Sequence, residues 1–273
     1  AVARGLASKK TTTVGVIIPD VTNLYFSSLA RGIDDIATMY KYNIILANSD
    51  ENEQKEVQVL NTLLAKQVDG VIFMGNKITE ELRAEFSRSR TPVVLAGTVD
   101  PDGQVGSVNI DYMAATEDCV TSLIEKGHKK VAFISESHDE PINGQYRLEG
   151  YKSALKKAGI DYDESLVVQS EYTYKVGDIV FEQISKAGAT AAVVADDELA
   201  VGVLNAALDR GISVPEDFAV ITSNNSKLTD MTRPQLSTIV QPLYDIGAVS
   251  MRLLTKLMNK EEISELREAC SAI

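Results

Sequence analysis

The sequence predicts a two-lobed α/β protein in which each lobe is a doubly wound parallel sheet packed between helices. Three observations lead there. From Thr12 onward, short β-branched runs alternate with longer amphipathic ones. The short runs are uniformly apolar, so both of their faces must be covered, as in parallel sheets layered between helices. Roughly ten such runs exceed the five or six strands of one nucleotide-binding type of sheet, so two sheets are required.

The elements follow in order. TVGVIIP supplies the first strand, a helical pattern runs to about Tyr40, NIILAN is the next strand, and a helix covers about Glu53 to Lys66. GVIFM, PVVLAG, KKVAFIS, AAVVA and FAVIT continue the rhythm. A helix from about Tyr112 ends at Gly127, a residue suited to a helix C-terminus, and a new strand begins at Lys130. The first boundary between lobes is therefore expected at 127/128. The second is expected near Thr238 to Gln241, after which PLYDIGAVSMRLLTKLMNK reads as a helix from Pro242 to about Lys260. This divides the chain into a separate segment 1–10, a first lobe of 11–127 plus 242–260, a second lobe of 128–241 and a tail of 261–273.

Composition narrows the function. With no run of 18 apolar residues and no basic-then-apolar leader, neither a membrane span nor a secretion signal is expected, and the chain reads as cytoplasmic. Cys119 and Cys270 lack the CxxC spacing of redox or metal sites and read as reduced thiols. The formal charge is −12, from 27 basic and 39 acidic residues. The first ten residues contain Arg4, Lys9 and Lys10 and no acid, leaving 24 minus 39, or −15, on the rest. Such a body does not track a phosphate backbone, which is held by Lys and Arg. Nucleic-acid contact must be local to the N-terminal segment.

Several motifs carry alternatives side by side. PDVTNLYF follows the first strand, at the carboxyl end where α/β sheets bind ligands, so either Asn23, Tyr25 and Phe26 contact a small molecule or this is a helix entry with Thr22 or Asn23 as cap and the aromatics packed inward. Asp111 at a second strand end is a ligand contact or another cap. Arg147 lies near a helix start, where its guanidinium either forks onto a ligand or is solvated. Asp196 and Asp197 sit on a strand-to-helix turn, where they cap the helix and suit its dipole, and paired acids can also serve as an acid/base couple. His128 and His138 lack partners at metal spacing, and GxSxG, HExxH and GxxxxGK[ST] do not occur. Neither catalysis, a cofactor nor a metal is expected.

The helix from Pro242 has two sides. Ile246, Val249, Leu253 and Leu257 form a core-facing stripe, while Tyr244, Ala248, Arg252 and Lys256 make an i,i+4 row on another side. Beside an aromatic and a small residue, the two cations form a basic row with an arginine at its centre that suits bidentate phosphate capture. The alternative is an ordinary solvated basic face.

Taken in order, AVARGLASKKT, VGVIIPDVTNLYF, GVIF, PVVLAG, VNIDYMAA, EKGHKKVAFI, RLEGYKSAL, ADDELAVGVLNAA, GISVPEDFAVI and LSTIVQPLYDIG resemble the lactose/galactose repressor family over about residues 1–260. The resemblance implies two lobes of periplasmic-binding-protein type joined by crossover strands, in a homodimeric, non-enzymatic regulator of transcription. It implies that 1–10 is the end of a hinge helix, with Leu6 inserted into the minor groove of operator DNA, and that a helix-turn-helix headpiece outside this sequence precedes it. It implies an effector cleft lined by Asn23, Tyr25, Asp111, Arg147, Asp196, Asn224 and Gln241, open to a small phosphosugar. Among family members it points to those whose corepressor is the serine-phosphorylated phosphocarrier protein HPr, which implies that Tyr244, Asp245, Ala248, Val249, Arg252 and Lys256 form the dock for that phosphoprotein. The chain departs from the family at Asp196-Asp197, where Asn-Asp is usual, and at Thr222-Ser223-Asn224, where an aspartate normally accepts a sugar's hydroxyls. The tail ELREACSAI also departs, lacking the Leu-Pro strand that returns to the second lobe. A periplasmic sugar-binding protein is the alternative on the same fold.

Overall fold

The apolar runs become the strands of two parallel sheets in the computed structural model, which describes residues 11–261 and 267–269. The chain builds a first unit up to Ile110, a second from Asp111 to Gln241, and resumes the first at Pro242. In the first unit the order is β1 (Thr13–Ile18), α1 (Leu24–Met39), β2 (Asn43–Asn48), α2 (Glu53–Ala65), β3 (Gly70–Phe73), α3 (Glu80–Arg88), β4 (Val93–Ala96) and β5 (Gly106–Asn109). The second unit contains α4 (Tyr112–Glu125), β6 (Val131–Ser135), a π-helical turn (Pro141–Arg147), α5 (Leu148–Lys157), β7 (Val167–Gln169), α6 (Gly177–Lys186), β8 (Ala191–Val194), α7 (Asp197–Asp209), β9 (Ala219–Thr222), α8 (Leu228–Met231) and β10 (Ser237–Thr238). The first unit is completed by α9 (Leu243–Met258) and β11 (Arg267–Ala269). The sheets run β11-β5-β4-β3-β1-β2 and β10-β9-β8-β6-β7, with every pairing parallel.

The first boundary falls at 110/111 rather than the expected 127/128, because α4 packs on α5 of the second unit. Gly150 of α5 meets the α4 backbone so closely that an added Cβ would lie 2.4 Å from the Met113 carbonyl oxygen. Glu117 accepts from Ser153 at 3.0 Å and pairs with Lys157. Cys119, Val120 and Leu123 join the core of Val131, Phe133, Leu148 and Tyr151. The Gly127 stop was legible, but which sheet the preceding helix covers depends on these long-range contacts. The tail also differs from expectation: β11 pairs in parallel with β5, Arg267 opposite Ser107, and extends the first unit's sheet. An open strand edge requires only backbone donors and acceptors of its neighbour, so no Leu-Pro sequence is needed.

Two further arrangements shape the first unit. Asp69, just before β3, accepts from the Thr11 and Thr12 backbone nitrogens at 3.0 and 2.8 Å, fastening the start of β1 to the amino end of the sheet. Helices α1 and α9 cross at their glycines: a Cβ on Gly32 would lie 2.0 Å from the Tyr244 carbonyl oxygen, and one on Gly247 would lie 2.0 Å from that of Leu29. Among the described residues no helix is long and apolar enough to cross a membrane.

Between β4 and β5, Asp100 is 1% exposed and organises a turn. It accepts from Arg83 at 2.6 Å and from the backbone nitrogens of Asp102, Gln104 and Val105 at 3.0, 2.8 and 2.9 Å. Burial alone would raise its carboxyl, but the Arg83 hydrogen bond and the three backbone donors outweigh burial and hold its pKa at about 2. A carboxyl depressed in the folded state adds stability above its unfolded pKa, and that stability is lost as pH falls through the folded value. Urea unfolding is therefore expected to show about 2 kcal/mol of stability disappearing between pH 4 and pH 2 that is missing from Asp100→Asn. An unchanged pH profile in the variant would contradict this account.

Candidate functional site

Polar groups buried in the second unit gather at the carboxyl ends of its strands, where parallel sheets leave side chains and helix N-termini converging. Asp196, 2% exposed, caps α7 by accepting from the Leu199 backbone nitrogen at 3.1 Å. Asp197, 3% exposed, turns instead to the loop after β9. Its Oδ1 accepts from the Thr222 hydroxyl at 2.7 Å and the Asn224 nitrogen at 3.0 Å, and its Oδ2 accepts from the Ser226 nitrogen at 2.9 Å. The adjacent acids thus have different tasks, one ending a helix and the other holding a loop.

That loop presents Asn224, whose Oδ1 accepts from Gln241 Nε2 at 3.2 Å; the same nitrogen donates to the Ser223 carbonyl at 2.7 Å. Gln241 Oε1 is buried with no hydrogen-bond partner among the described residues. A buried amide oxygen left in this way favours a donor arriving from outside.

Arg147 ends the π-helical turn. Its Nη1 donates to Asn143 Oδ1 at 3.1 Å, and its guanidinium lies 5.3 Å from the centre of the Tyr112 ring. Asn143 in turn donates to Glu140 Oε2 at 2.8 Å. The Tyr172 hydroxyl donates to Asn143 Oδ1 at 3.4 Å and accepts from the Glu136 nitrogen at 3.1 Å. Burial pushes the Tyr172 phenol well up; nearby Arg147 opposes this, and Glu136 and Asp196 add to it. Arg147 and the Tyr172 phenol are joined through Asn143, whose Oδ1 accepts from both.

Sequence reasoning missed Asn143 and Tyr172. The first was findable as the i−4 neighbour of Arg147 and the second as an aromatic just beyond a strand end. Asp111 is exposed and caps α4, accepting from the Ala114 nitrogen at 3.0 Å. In the first unit Asn23 caps α1 through the Tyr25 nitrogen at 2.9 Å. The Tyr25 ring stands edge-on to Phe26, and its hydroxyl occupies the space where a side chain on Gly97 (φ +55) would be. Leu6 lies outside the described residues, as does Cys270. Cys119 is buried, and burial pushes its thiol up to about 12, consistent with an inert packing residue.

A second cluster lies on the first unit, where α1 and α9 cross. Tyr244 is 45% exposed and donates to Asp35 Oδ2 at 2.8 Å. Asp35 also pairs with Arg31 Nε at 3.3 Å. The bond to Asp35 pushes the Tyr244 phenol up, while the positive charges of Arg31 and Arg252 act against it. Asp245, Arg252 and Lys256 are exposed and Val249 is half-buried. Among the described residues neither Arg252 nor Lys256 has an acid within 4.0 Å.

Ala248, expected in this exposed row, is 3% exposed. It follows Gly247 at the crossing, where the α1 backbone covers it. The core stripe is likewise displaced: Ile246 and Leu253 are buried, but Leu243, Met251 and Leu254 join them while Val249 and Leu257 are only half-buried. A helix covered by both a sheet and a second helix buries a wider arc than a simple stripe predicts.

With this geometry in place, comparison with known proteins becomes informative. A family model described as a periplasmic binding protein-like domain matches residues 120–270. A catabolite control protein A from Streptococcus mutans is 60% identical over 97% of this chain and 79% of its own length. The chain belongs to the catabolite control protein A family. The crystal structure of the transcription regulator CcpA of Lactococcus lactis superposes with a TM-score of 0.93 at 49% identity, covering 97% of each chain. A LacI family transcriptional regulator from Enterococcus faecium with bound ribose superposes at 0.85 with 27% identity, covering 96% of each. The catabolite control protein A family thus accounts for the two-sheet architecture, and the fold is that of LacI-family regulators.

The Asp197 bonds make a sharp prediction. Asp197→Ala strands three donors in a buried setting and is expected to cost about 3–5 kcal/mol in urea unfolding, whereas Asp197→Asn, which keeps one acceptor oxygen, loses less. Equal losses for the two variants would show that the acceptor count is not what matters.

Proposed function

We propose that the chain is the sensing and dimer-forming core of a cytoplasmic catabolite repressor, with serine-phosphorylated HPr as corepressor on the α9 face. The observation that carries this reading is the exposed row of Tyr244, Asp245, Arg252 and Lys256, with the two cations free of acidic partners among the described residues and Tyr244 oriented by Asp35. An unpaired arginine beside a fixed aromatic suits a phosphate on a protein surface. Operator contact belongs to a headpiece ahead of the core, assisted by Leu6. The homodimer belongs to the same reading and rests on the family resemblance.

A small phosphosugar is the second ligand class in this reading, held at the strand ends of the second unit. Arg147 supplies the charge for its phosphate, and Asn224 and Gln241 Oε1 supply hydrogen-bonding groups for its hydroxyls. The E. faecium relative with bound ribose supports a sugar as ligand on this fold. Asn224 stands where the repressor family usually has a charged acceptor, which favours a ligand recognised through its phosphate over a free sugar.

Two measurements test the reading. Calorimetric titration is expected to show Arg252→Ala weakening phosphorylated HPr by roughly ten- to a hundredfold, the loss of one charge-assisted hydrogen bond of about 1.5–3 kcal/mol. Unphosphorylated HPr should bind more weakly and hardly respond, and equal losses for the two forms would mean that Arg252 does not read the phosphate. Titrating glucose 6-phosphate and fructose 1,6-bisphosphate is expected to show a similar loss for Arg147→Ala, with stability changed by no more than about 1 kcal/mol because only a bond to Asn143 and a stacking contact are removed. Undiminished binding would remove Arg147 from the site.

A further inference from the structure

The buried carboxyl of Glu56, in α2, has no part in the function above. Asp100 in the same unit is held by Arg83 and three backbone nitrogens. Glu56 is 5% exposed, yet among the described residues no hydrogen-bond or ion-pair partner reaches its carboxyl. Its Oε2 rests against the chain just after β3. A Cβ on Gly75 would lie 2.9 Å from that oxygen and 2.7 Å from the Phe73 ring, so the carboxyl is seated on bare backbone beside an aromatic edge.

A carboxyl withdrawn from water without a donor is penalised in its charged form. The surrounding charges add to that penalty more than they relieve it. Glu53 and Glu51 belong to its own segment, and Lys77 acts on it from the loop after β3. The neighbouring strands, TVGVII, NIILAN and GVIF, carry no titratable group, and the acids opening α3, Glu80 and Glu81, are exposed. Burial first, then Glu53 and Glu51, push the Glu56 carboxyl up to about 7 against the pull of Lys77. Lys77 is meanwhile committed to Glu53, at 3.2 Å.

We propose that Glu56 is a proton-operated latch between α2 and the loop after β3: neutral, its carboxyl seats on Gly75; ionised, it competes with Glu53 for Lys77 and shifts that loop. The loop lies at the carboxyl end of the sheet, where parallel strands leave room for ligands. Gly75 also donates its backbone N–H to Thr98 Oγ1 at 3.1 Å, so a shift there is passed to the chain after β4. The latch uses neither the Arg147 cluster nor the α9 row, and it stands or falls apart from both.

The test is a pH titration of the whole chain by NMR, reading glutamate carboxyl carbons and backbone amides together. The Glu56 carboxyl, assigned by its loss in Glu56→Gln, is expected to titrate at about 7, with the amides of residues 73–77 moving at the same midpoint. In Glu56→Gln those amides should keep their low-pH positions throughout. Lys77→Gln removes the opposing charge, so it should raise the Glu56 midpoint and shrink the amide movement, the ionised form having no cation to recruit. Unfolding gives a second readout. A carboxyl raised in the folded state contributes stability that is complete below its unfolded pKa and is lost as pH rises through the folded value. Between about pH 4.5 and 7.5 the unfolding constant of the wild type should therefore grow about a hundredfold more than that of Glu56→Gln. A Glu56 midpoint near the ordinary 4.5 overturns the proposal. So does a raised midpoint with motionless amides at 73–77, or amide movement that survives Glu56→Gln.

Discussion

The first unit depends on two helices touching backbone to backbone. Gly32 and Gly247 are the residues that permit it, since a methyl group at either would fall within 2.0 Å of a carbonyl oxygen. The crossing joins segments separated by the whole second unit and sets Asp35 against Tyr244, 209 positions later. Without that approach the tyrosine would be one rotamer among several on a solvated helix. With it, the ring, the Asp35 carboxylate and the Arg31 guanidinium are joined in one chain of contacts. The same closeness removes Ala248 from the exposed row, so the geometry that assembles the row also decides its membership.

The second unit meets a different constraint. Parallel strands all end on one side, and whatever polar residues follow them converge there. Convergence alone would leave a flexible rim of loops, and Asp197 prevents this by joining the start of α7 to the turn after β9 through three hydrogen bonds. Because its oxygens are engaged in this way, recognition falls to the neighbours it positions. These are Asn224 and Gln241, and separately Arg147, which is steadied by Asn143 and Tyr112. The π-helical turn matters here because it hands Arg147 to the start of α5 with Asn143 one turn behind it.

Much of this was legible in the sequence. Apolar runs such as TVGVIIP and AAVVA became central strands because a doubly covered strand has no solvent face to encode. The caps at Asn23, Asp111 and Asp196 were legible because capping is local, a side chain reaching one to three residues onward. The assignment of α4 to a lobe was not, since the helix looks the same whichever sheet it covers and only its distant partners Gly150, Ser153 and Lys157 on α5 decide. Nor was the burial of Ala248, which depends on a glycine more than two hundred residues earlier. β11 escaped notice for the opposite reason: an edge strand of three residues carries too little pattern to read. The contrast between Asp196 and Asp197 was invisible because identical neighbours on a turn diverge only through partners from distant strands.

The fastening of Thr11 and Thr12 to Asp69 has a mechanical meaning. Chain ahead of Thr11 is anchored at the very start of β1, which is flanked on both sides by β3 and β2. A pull arriving along that chain is directed along the strand axis, so it loads the flanking hydrogen bonds together in shear instead of peeling them one at a time. Tension from the N-terminal side would therefore be shared by β1 and the two strands beside it, β3 and β2, with Asp69 as the point of attachment.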